Sequence, residues 1–198
     1  EKLVKCCQIA KIPIEEINIR EVLKSEKELN NNILRAFHVP DAVVNPPKLF
    51  ELLSKEIISY GGKILTNHQV ISIKKNKDVA NAIVVDSNGV KSTIECDGII
   101  NAAGPWSRKV AKFINQNVEL QLTRGCGIFF SDKLVNKAIN RCRIPNNNDI
   151  MCPSEKESLW GTTSNIVYDP DSAKTTSDEI QELLSGAEEL FPKIKNYK

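Results

Sequence analysis

Apolar residues in this chain switch between two periods, and that switching predicts an α+β fold. Four stretches carry them at helical spacing, and Asn88-Gly89 divides two short runs rich in β-branched residues. A third signal is Gly98-Ile99-Ile100-Asn101-Ala102-Ala103, a nearly continuous apolar run of strand length.

The elements follow in order. Leu3, Val4, Cys7 and Ala10 have helical spacing, with Cys7 on the apolar face as a packing residue. The chain opens on Glu1, inside or just before this helix, and reads as an excised piece of a longer protein. Asn45-Pro46-Pro47 supplies an N-cap and first-turn prolines; Leu49, Leu52, Leu53, Ile57 and Tyr60 form one face before Gly61-Gly62 ends the helix. Lys63 to Thr66 reads as a short strand. Gln69 to Lys74, Ala80 to Asp86 and Val90 to Cys96 then make a three-stranded antiparallel meander with one face in water. Gly98 to Ala103 suits a strand buried on both faces, and Pro105 opens a helix carrying Trp106, Val110 and Phe113.

In the second half, Glu119 to Thr123, Cys126 to Phe130, Asp149 to Cys152 and Ser158 to Thr162 are predicted strands. The polar loop Asn146-Asn147-Asn148 and the turn Glu155-Lys156-Glu157 join them. The last helix runs from about Thr176 to Phe191, with Thr176 and Glu179 at capping-box spacing and Pro192 as its stop.

Composition narrows the function classes. The 198 residues are 41% hydrophobic and 26% charged, the balance of a globular chain. No run approaches the ~18 apolar residues of a membrane-spanning helix. With 27 Lys+Arg against 25 Asp+Glu the net charge is +2, which gives no electrostatic case for nucleic acid. Six cysteines without a C-x-x-C pair suit reduced thiols in a cytoplasmic protein, and neither His38 nor His68 has the partners of a metal site.

Chemistry concentrates in Asp97 to Ser107. A strand ending in small residues turns at Gly104 and enters a helix led by Pro105, so a ligand can approach the backbone and free N–H groups can face an anion. An ordinary βα turn reads the same way. Trp106 likewise suits either a ligand wall or a core anchor on the stripe of Val110 and Phe113. Arg141 and Arg143 alternate on an expected strand and share one face, either lining a cleft for an anion or standing in solvent. Thr162 and Thr163 offer hydroxyls, and Asp41 suits the turn after Pro40. Gly125-Cys126-Gly127 fails as a dinucleotide fingerprint: Phe130 stands at its third glycine position and it lies between strands.

Taken together, Val39-Pro40-Asp41, Asn45-Pro46, Gly61-Gly62, Val70 to Lys74, Asn101 to Trp106, Arg124-Gly125, Asn140 to Arg143 and Gly161 to Ser164 carry a family likeness in order and spacing. The chain resembles the FAD-dependent glycerol-3-phosphate dehydrogenases, the flavin subunit of the anaerobic enzyme in particular, within the D-amino-acid-oxidase-like flavoproteins. The resemblance implies a substrate domain on a large antiparallel sheet (1–44 and 119–198) and part of an FAD-binding domain (45–118). It implies that Val70, Ala102, Ala103, Gly104 and Trp106 lie against FAD and that Arg124, Arg141, Arg143 and Thr162 face a phosphorylated substrate. The implied reaction takes sn-glycerol 3-phosphate to dihydroxyacetone phosphate and passes electrons to a quinone or a partner subunit, in the cytoplasm or at the inner face of the membrane. No catalytic residue follows from it. Relatives commonly carry lysine at position 124, and aerobic ones a histidine at position 127, where this chain has Arg124 and Gly127. The family's G-x-G-x-x-G and its Gly-Val-Arg-Pro segment are absent, so the piece is expected to be inert alone. Other flavin oxidases, acting on 2-hydroxy acids or amino acids, and a non-catalytic assembly module remain as alternatives.

Overall fold

The computed structural model describes residues 1–197 except 77–78, 144–147 and 173. Asn146 and Asn147 of the expected polar loop lie outside the described residues. The first half contains α1 (Lys2–Ile9), β1 (Glu15–Ile17), α2 (Ile19–Ser25), β2 (Ala36–His38), α3 (Pro46–Ser59), β3 (Gln69–Asn76), β4 (Val79–Ser87) and β5 (Val90–Glu95). The second contains α4 (Ser107–Lys112), β6 (Leu122–Arg124), β7 (Gly127–Phe130), β8 (Ile139–Asn140), β9 (Ile150–Pro153), β10 (Ser158–Gly161), β11 (Asn165–Val167) and α5 (Ser177–Leu190). Two compact units result, one of residues 1–45, 123–165 and 174–198, the other of 46–122 and 166–173.

The first unit is built on a four-stranded antiparallel sheet in the order β7-β10-β9-β8. β10 is central, and its burial pattern puts Ser158, Trp160 and Gly161 inside. Helix α5 follows from its cap: the Thr176 hydroxyl accepts from the Glu179 N–H while the Glu179 carboxylate accepts from the Thr176 N–H. Its inner face sets Leu183 and Ala187 against Trp160, Met151 and Phe191, all 0 or 1% exposed. Trp160 and Phe191 meet edge to face at 5.9 Å. The indole N–H of Trp160 donates to the Leu183 carbonyl at 2.9 Å, so this buried ring leaves no orphan donor.

In the second unit, β3, β4 and β5 form the expected antiparallel meander. Asn88 and Gly89 have φ of 54° and 88°, the two left-handed residues of a hairpin turn whose twist matches its strands. Asp86 reinforces it by accepting from the Gly89 N–H at 2.8 Å. Ile73, Val85 and Ala111 are buried hydrophobics among the described residues of this unit. α3 is helical as its pattern predicts, yet it has no buried residue, and Phe50 and Tyr60 are 65% and 84% exposed.

Two expected strands are absent. Lys63 to Thr66 and Gly98 to Ala103 are irregular, and Ile100 stands 95% exposed instead of buried. A strand exists only with a neighbour to share its ladder, and no described segment pairs with either stretch. No helix among the described residues is long and apolar enough to cross a membrane.

Candidate functional site

In the second unit the candidate site is the turn that feeds α4. Gly104 takes φ +51°, a conformation that glycine adopts without strain. Asn101 brackets the turn from both sides: its amide donates to the Ser107 carbonyl at 2.9 Å, and its oxygen accepts from the Ala103 N–H at 3.3 Å. The helix does not begin at Pro105 directly. A 3₁₀ turn, Gly104–Trp106, comes first, and in it the Trp106 and Ser107 N–H groups donate to the Ala103 and Gly104 carbonyls. The free donors expected for an anion at this junction are therefore partly consumed within the turn. What it does offer is access, because Ala102 and Ala103 carry nothing beyond Cβ, and a Cβ built on Gly98 or Gly104 would meet no atom within 4 Å. These residues fit a flat ligand laid against the backbone.

Trp106 is 44% exposed, so it is not the core anchor that its helical stripe allowed. Its indole N–H donates to Asp171 Oδ1 at 2.7 Å, and the Lys109 ammonium bonds the other oxygen of that carboxylate. Lys109 first, and the indole second, hold the Asp171 carboxyl below the usual range. The stretch before the turn, Asp97 to Asn101, helps line an open pocket of about 500 Å³ together with Ile73, Val110 and Val118, among other residues. Val70 stands half-buried on β3 opposite Val85 and is not part of that wall.

In the first unit the four residues assigned to substrate fall into two hydrogen-bonded clusters, Arg124 on Glu179 and Arg141, Arg143 and the Thr162 carbonyl around Asn148 and Asp149. Arg124, at the end of β6, donates to Glu179 Oε1 at 2.5 Å and to the Lys174 carbonyl at 2.6 Å. Glu179 also accepts from Thr163, Asn165 and Thr176. Arg124 first, then the Thr176 N–H, with Asn165 and the Thr176 hydroxyl behind them, bring its carboxyl down to about 2. The Thr163 hydroxyl accepts from the Cys126 N–H at 3.0 Å and is 1% exposed, so it serves the fold and not a ligand. Thr162 is exposed beside it, and its carbonyl accepts from the Asn148 N–H at 3.3 Å. The Asn148 carbonyl in turn accepts from Arg141.

Arg141 and Arg143 do not alternate on a strand, because β8 ends at Asn140. Asp149 Oδ1 accepts from both, at 3.2 Å and 2.6 Å. Arg141 further bonds Glu189, lies over the Trp160 ring at 5.6 Å, and has a side chain only 9% exposed. The Arg143 side chain is 39% exposed and Thr162 is exposed, so both are accessible, as is the Glu189 carboxylate at 65%.

The glycines of Gly125-Cys126-Gly127 are explained here by packing. A Cβ at Gly127 would sit 3.0 Å from Leu159 Cδ1 and 3.1 Å from the Trp160 carbonyl, and one at Gly125 would sit 3.2 Å from the Thr163 carbonyl. They let β7 and the stretch after β10 approach, as the register pair Gly161 and Gly127 requires.

Glu179, Asp149 and Asp171 are the site residues that sequence reading misses. Glu179 was visible only as a cap, since nothing local reveals that a helix cap also holds an arginine of another strand. Asp149 and Asp171 lie in polar stretches with no motif. Asp41 does act on its turn, accepting from the Ala42 N–H at 2.8 Å. His38 and His68 are exposed, and no cluster able to hold a metal ion occurs among the described residues.

Comparison with known proteins decides the family. The FAD dependent oxidoreductase family profile matches residues 2–198. This chain belongs to the FAD dependent oxidoreductases. Among curated members it is 27% identical over 205 residues to the A1 subunit of the anaerobic glycerol-3-phosphate dehydrogenase of Haloferax volcanii, covering 98% of this chain and 35% of that one. It is 28% identical over 193 residues to the corresponding subunit of the Escherichia coli K12 enzyme, covering 96% and 36%. This flavoprotein chain thus spans about a third of the length of those relatives. The same fold occurs in the glycerol-3-phosphate dehydrogenase from Bacillus halodurans, a structure complexed with FAD, with TM-score 0.76, 19% identity, and coverage of 92% and 40%. Glycine oxidase from Bacillus cereus shares it at TM-score 0.72 and 16% identity, covering 93% and 50%.

Proposed function

We propose that this oxidoreductase chain is the central part of an FAD-dependent dehydrogenase that oxidises sn-glycerol 3-phosphate to dihydroxyacetone phosphate. The observation that carries the reading is similarity to anaerobic glycerol-3-phosphate dehydrogenase subunits over 96 to 98% of this chain. The second unit is the part of the FAD-binding domain in which Ala102, Ala103 and Gly104 give the dinucleotide a backbone to lie on, with Trp106 following them and Val70 meeting the cofactor from β3. The first unit is part of the substrate domain. When bound, FAD supplies the two-electron acceptor that protein side chains lack.

The work of this chain's residues is binding and orientation. Arg143 and Thr162 offer a partly exposed guanidinium and an open hydroxyl suited to a phosphate. Arg124 and Arg141 each hold a cluster in place, through Glu179 in one case and Asp149 with Glu189 in the other. Electrons pass on to a quinone or a partner subunit, with the protein in the cytoplasm or at the inner face of the membrane.

Recording the visible spectrum of the full-length protein after addition of FAD, then of sn-glycerol 3-phosphate, glycine, proline and 2-hydroxyglutarate separately, tests the reading. Bleaching of a bound flavin by glycerol 3-phosphate alone is expected. Bleaching by an amino acid or 2-hydroxy acid instead would move the protein to another branch of the superfamily.

A further inference from the structure

Asp171 belongs to no motif, yet both of its carboxylate oxygens are engaged by the first helical turn after Gly104. Oδ1 accepts the Trp106 indole N–H at 2.7 Å and Oδ2 bonds the Lys109 ammonium. The carboxylate is itself fixed, because it sits in the 3₁₀ turn Pro170–Ser172. There the Asp171 N–H donates to Asp169 Oδ1 at 3.1 Å and the Ser172 hydroxyl donates to the Asp169 carbonyl at 3.0 Å. Asp169 also stands 3.9 Å from Lys109.

The turn so gripped is poor in side-chain packing. Ala102 and Gly104 are exposed, and nothing lies within 4 Å of a Cβ built on Gly104. Besides the turn's own backbone bonds, two side chains brace it among the described residues: Asn101 from within the turn, and Asp171 from outside it. Trp106 follows Gly104 by two residues, so a fixed indole restricts the φ and ψ that Gly104 would otherwise explore.

We propose that Asp171 is a positioning residue that holds the Ala102–Gly104 turn ready to receive its ligand, acting through Trp106 and Lys109. The ligand is FAD, and this rests on the functional reading above. Asp171 touches no reacting atom in this scheme. Its contribution is preorganisation, which strengthens binding by removing the cost of ordering the turn.

The test uses the full-length protein with Asp171→Ala, Asp171→Asn and, as a surface control, Glu16→Ala. Asparagine keeps an oxygen for the indole N–H and loses the charge facing Lys109. Hydrogen–deuterium exchange over residues 101–107 is measured without ligand, and FAD affinity is measured by titration of flavin fluorescence. Asp171→Ala is expected to speed exchange in that segment and to weaken FAD binding by roughly threefold, the scale of losing an exposed ion pair and one indole hydrogen bond. Asp171→Asn should fall between it and wild type, and Glu16→Ala should change neither. Unchanged exchange in Asp171→Ala overturns the proposal whatever the cofactor does. Faster exchange with unaltered FAD affinity overturns it as well, by separating the brace from the ligand. A wild-type protein that takes up no FAD defeats the underlying reading, and the proposal with it; that failure shows in wild type and not in the variants.

Discussion

Arg124 and Glu179 are 55 residues apart in sequence and meet at 2.5 Å, with the arginine side chain 17% and the glutamate 7% exposed. The same carboxylate caps α5 and accepts from Thr163 and Asn165. One acidic side chain thus joins the end of β6, the stretch after β10 and the start of a helix. It also satisfies the guanidinium that the sequence offers to a substrate.

Glu179 makes the first unit acid-sensitive in a defined window. Its folded carboxyl titrates at about 2 against an ordinary value of 4.5. Between those two values the unfolded chain binds the extra proton, so stability rises with pH through the window and is fully present above 4.5. It is lost as pH falls through about 2. Urea midpoints measured from pH 6 down to pH 2 should fall more steeply in wild type than in Glu179→Gln. Parallel curves would mean that the network contributes nothing to acid stability.

What the sequence makes legible here is local. Helix α5, its Thr176 and Glu179 cap and the Asn88-Gly89 hairpin each depend on contacts within a few residues, so pattern alone finds them. Gly98 to Ala103 has the composition of a buried strand but no described neighbour, and a ladder cannot be read from one segment. Arg141 and Arg143 follow the same logic. Their two-residue spacing implies one face of a strand only if a strand is present, and β8 stops at Asn140, after which one aspartate gathers both guanidinium groups.

The two tryptophans should report on the two units separately. Trp160 is 0% exposed and bonded to a carbonyl, whereas Trp106 is 44% exposed beside a carboxylate and an ammonium. Trp106→Phe should leave a blue-shifted emission that acrylamide quenches poorly, and Trp160→Phe a red-shifted one that it quenches well. Trp160→Ala should cost about 3–5 kcal/mol in urea unfolding, the usual penalty for deleting a buried aromatic ring. A small cost with unchanged emission would contradict this core.

Gly127 tests the packing account of the glycine pair. Alanine there would press on Leu159 Cδ1 at 3.0 Å and on the Trp160 carbonyl at 3.1 Å, and the carbonyl belongs to the central strand and cannot easily yield. Gly127→Ala is expected to destabilise by about 1–3 kcal/mol, the range for overpacking. If the pair served a dinucleotide instead, the same change would weaken FAD binding and leave the unfolding midpoint where it was.

Arg141 and Arg143 separate support from recognition. Arg141 is 9% exposed and holds Asp149, Glu189 and the Trp160 face, so Arg141→Ala strips a nearly buried carboxylate of one of its cations. A loss of about 3 kcal/mol in stability is expected, since breaking a buried pair from one side leaves the other charge short of compensation. Arg143 shares the nearly buried Asp149, but its own side chain is 39% exposed and Arg141 remains as that carboxylate's second cation, so its loss should cost less, about 1 kcal/mol. Its removal should therefore cost the fold less than that of Arg141. If it meets the phosphate of sn-glycerol 3-phosphate, Arg143→Ala in the full-length enzyme should raise KM about tenfold, as the loss of one charged hydrogen bond does. A KM equal to wild type in a stable Arg143→Ala enzyme would remove this arginine from substrate binding, and a KM effect confined to unstable variants would show that the network only shapes the site.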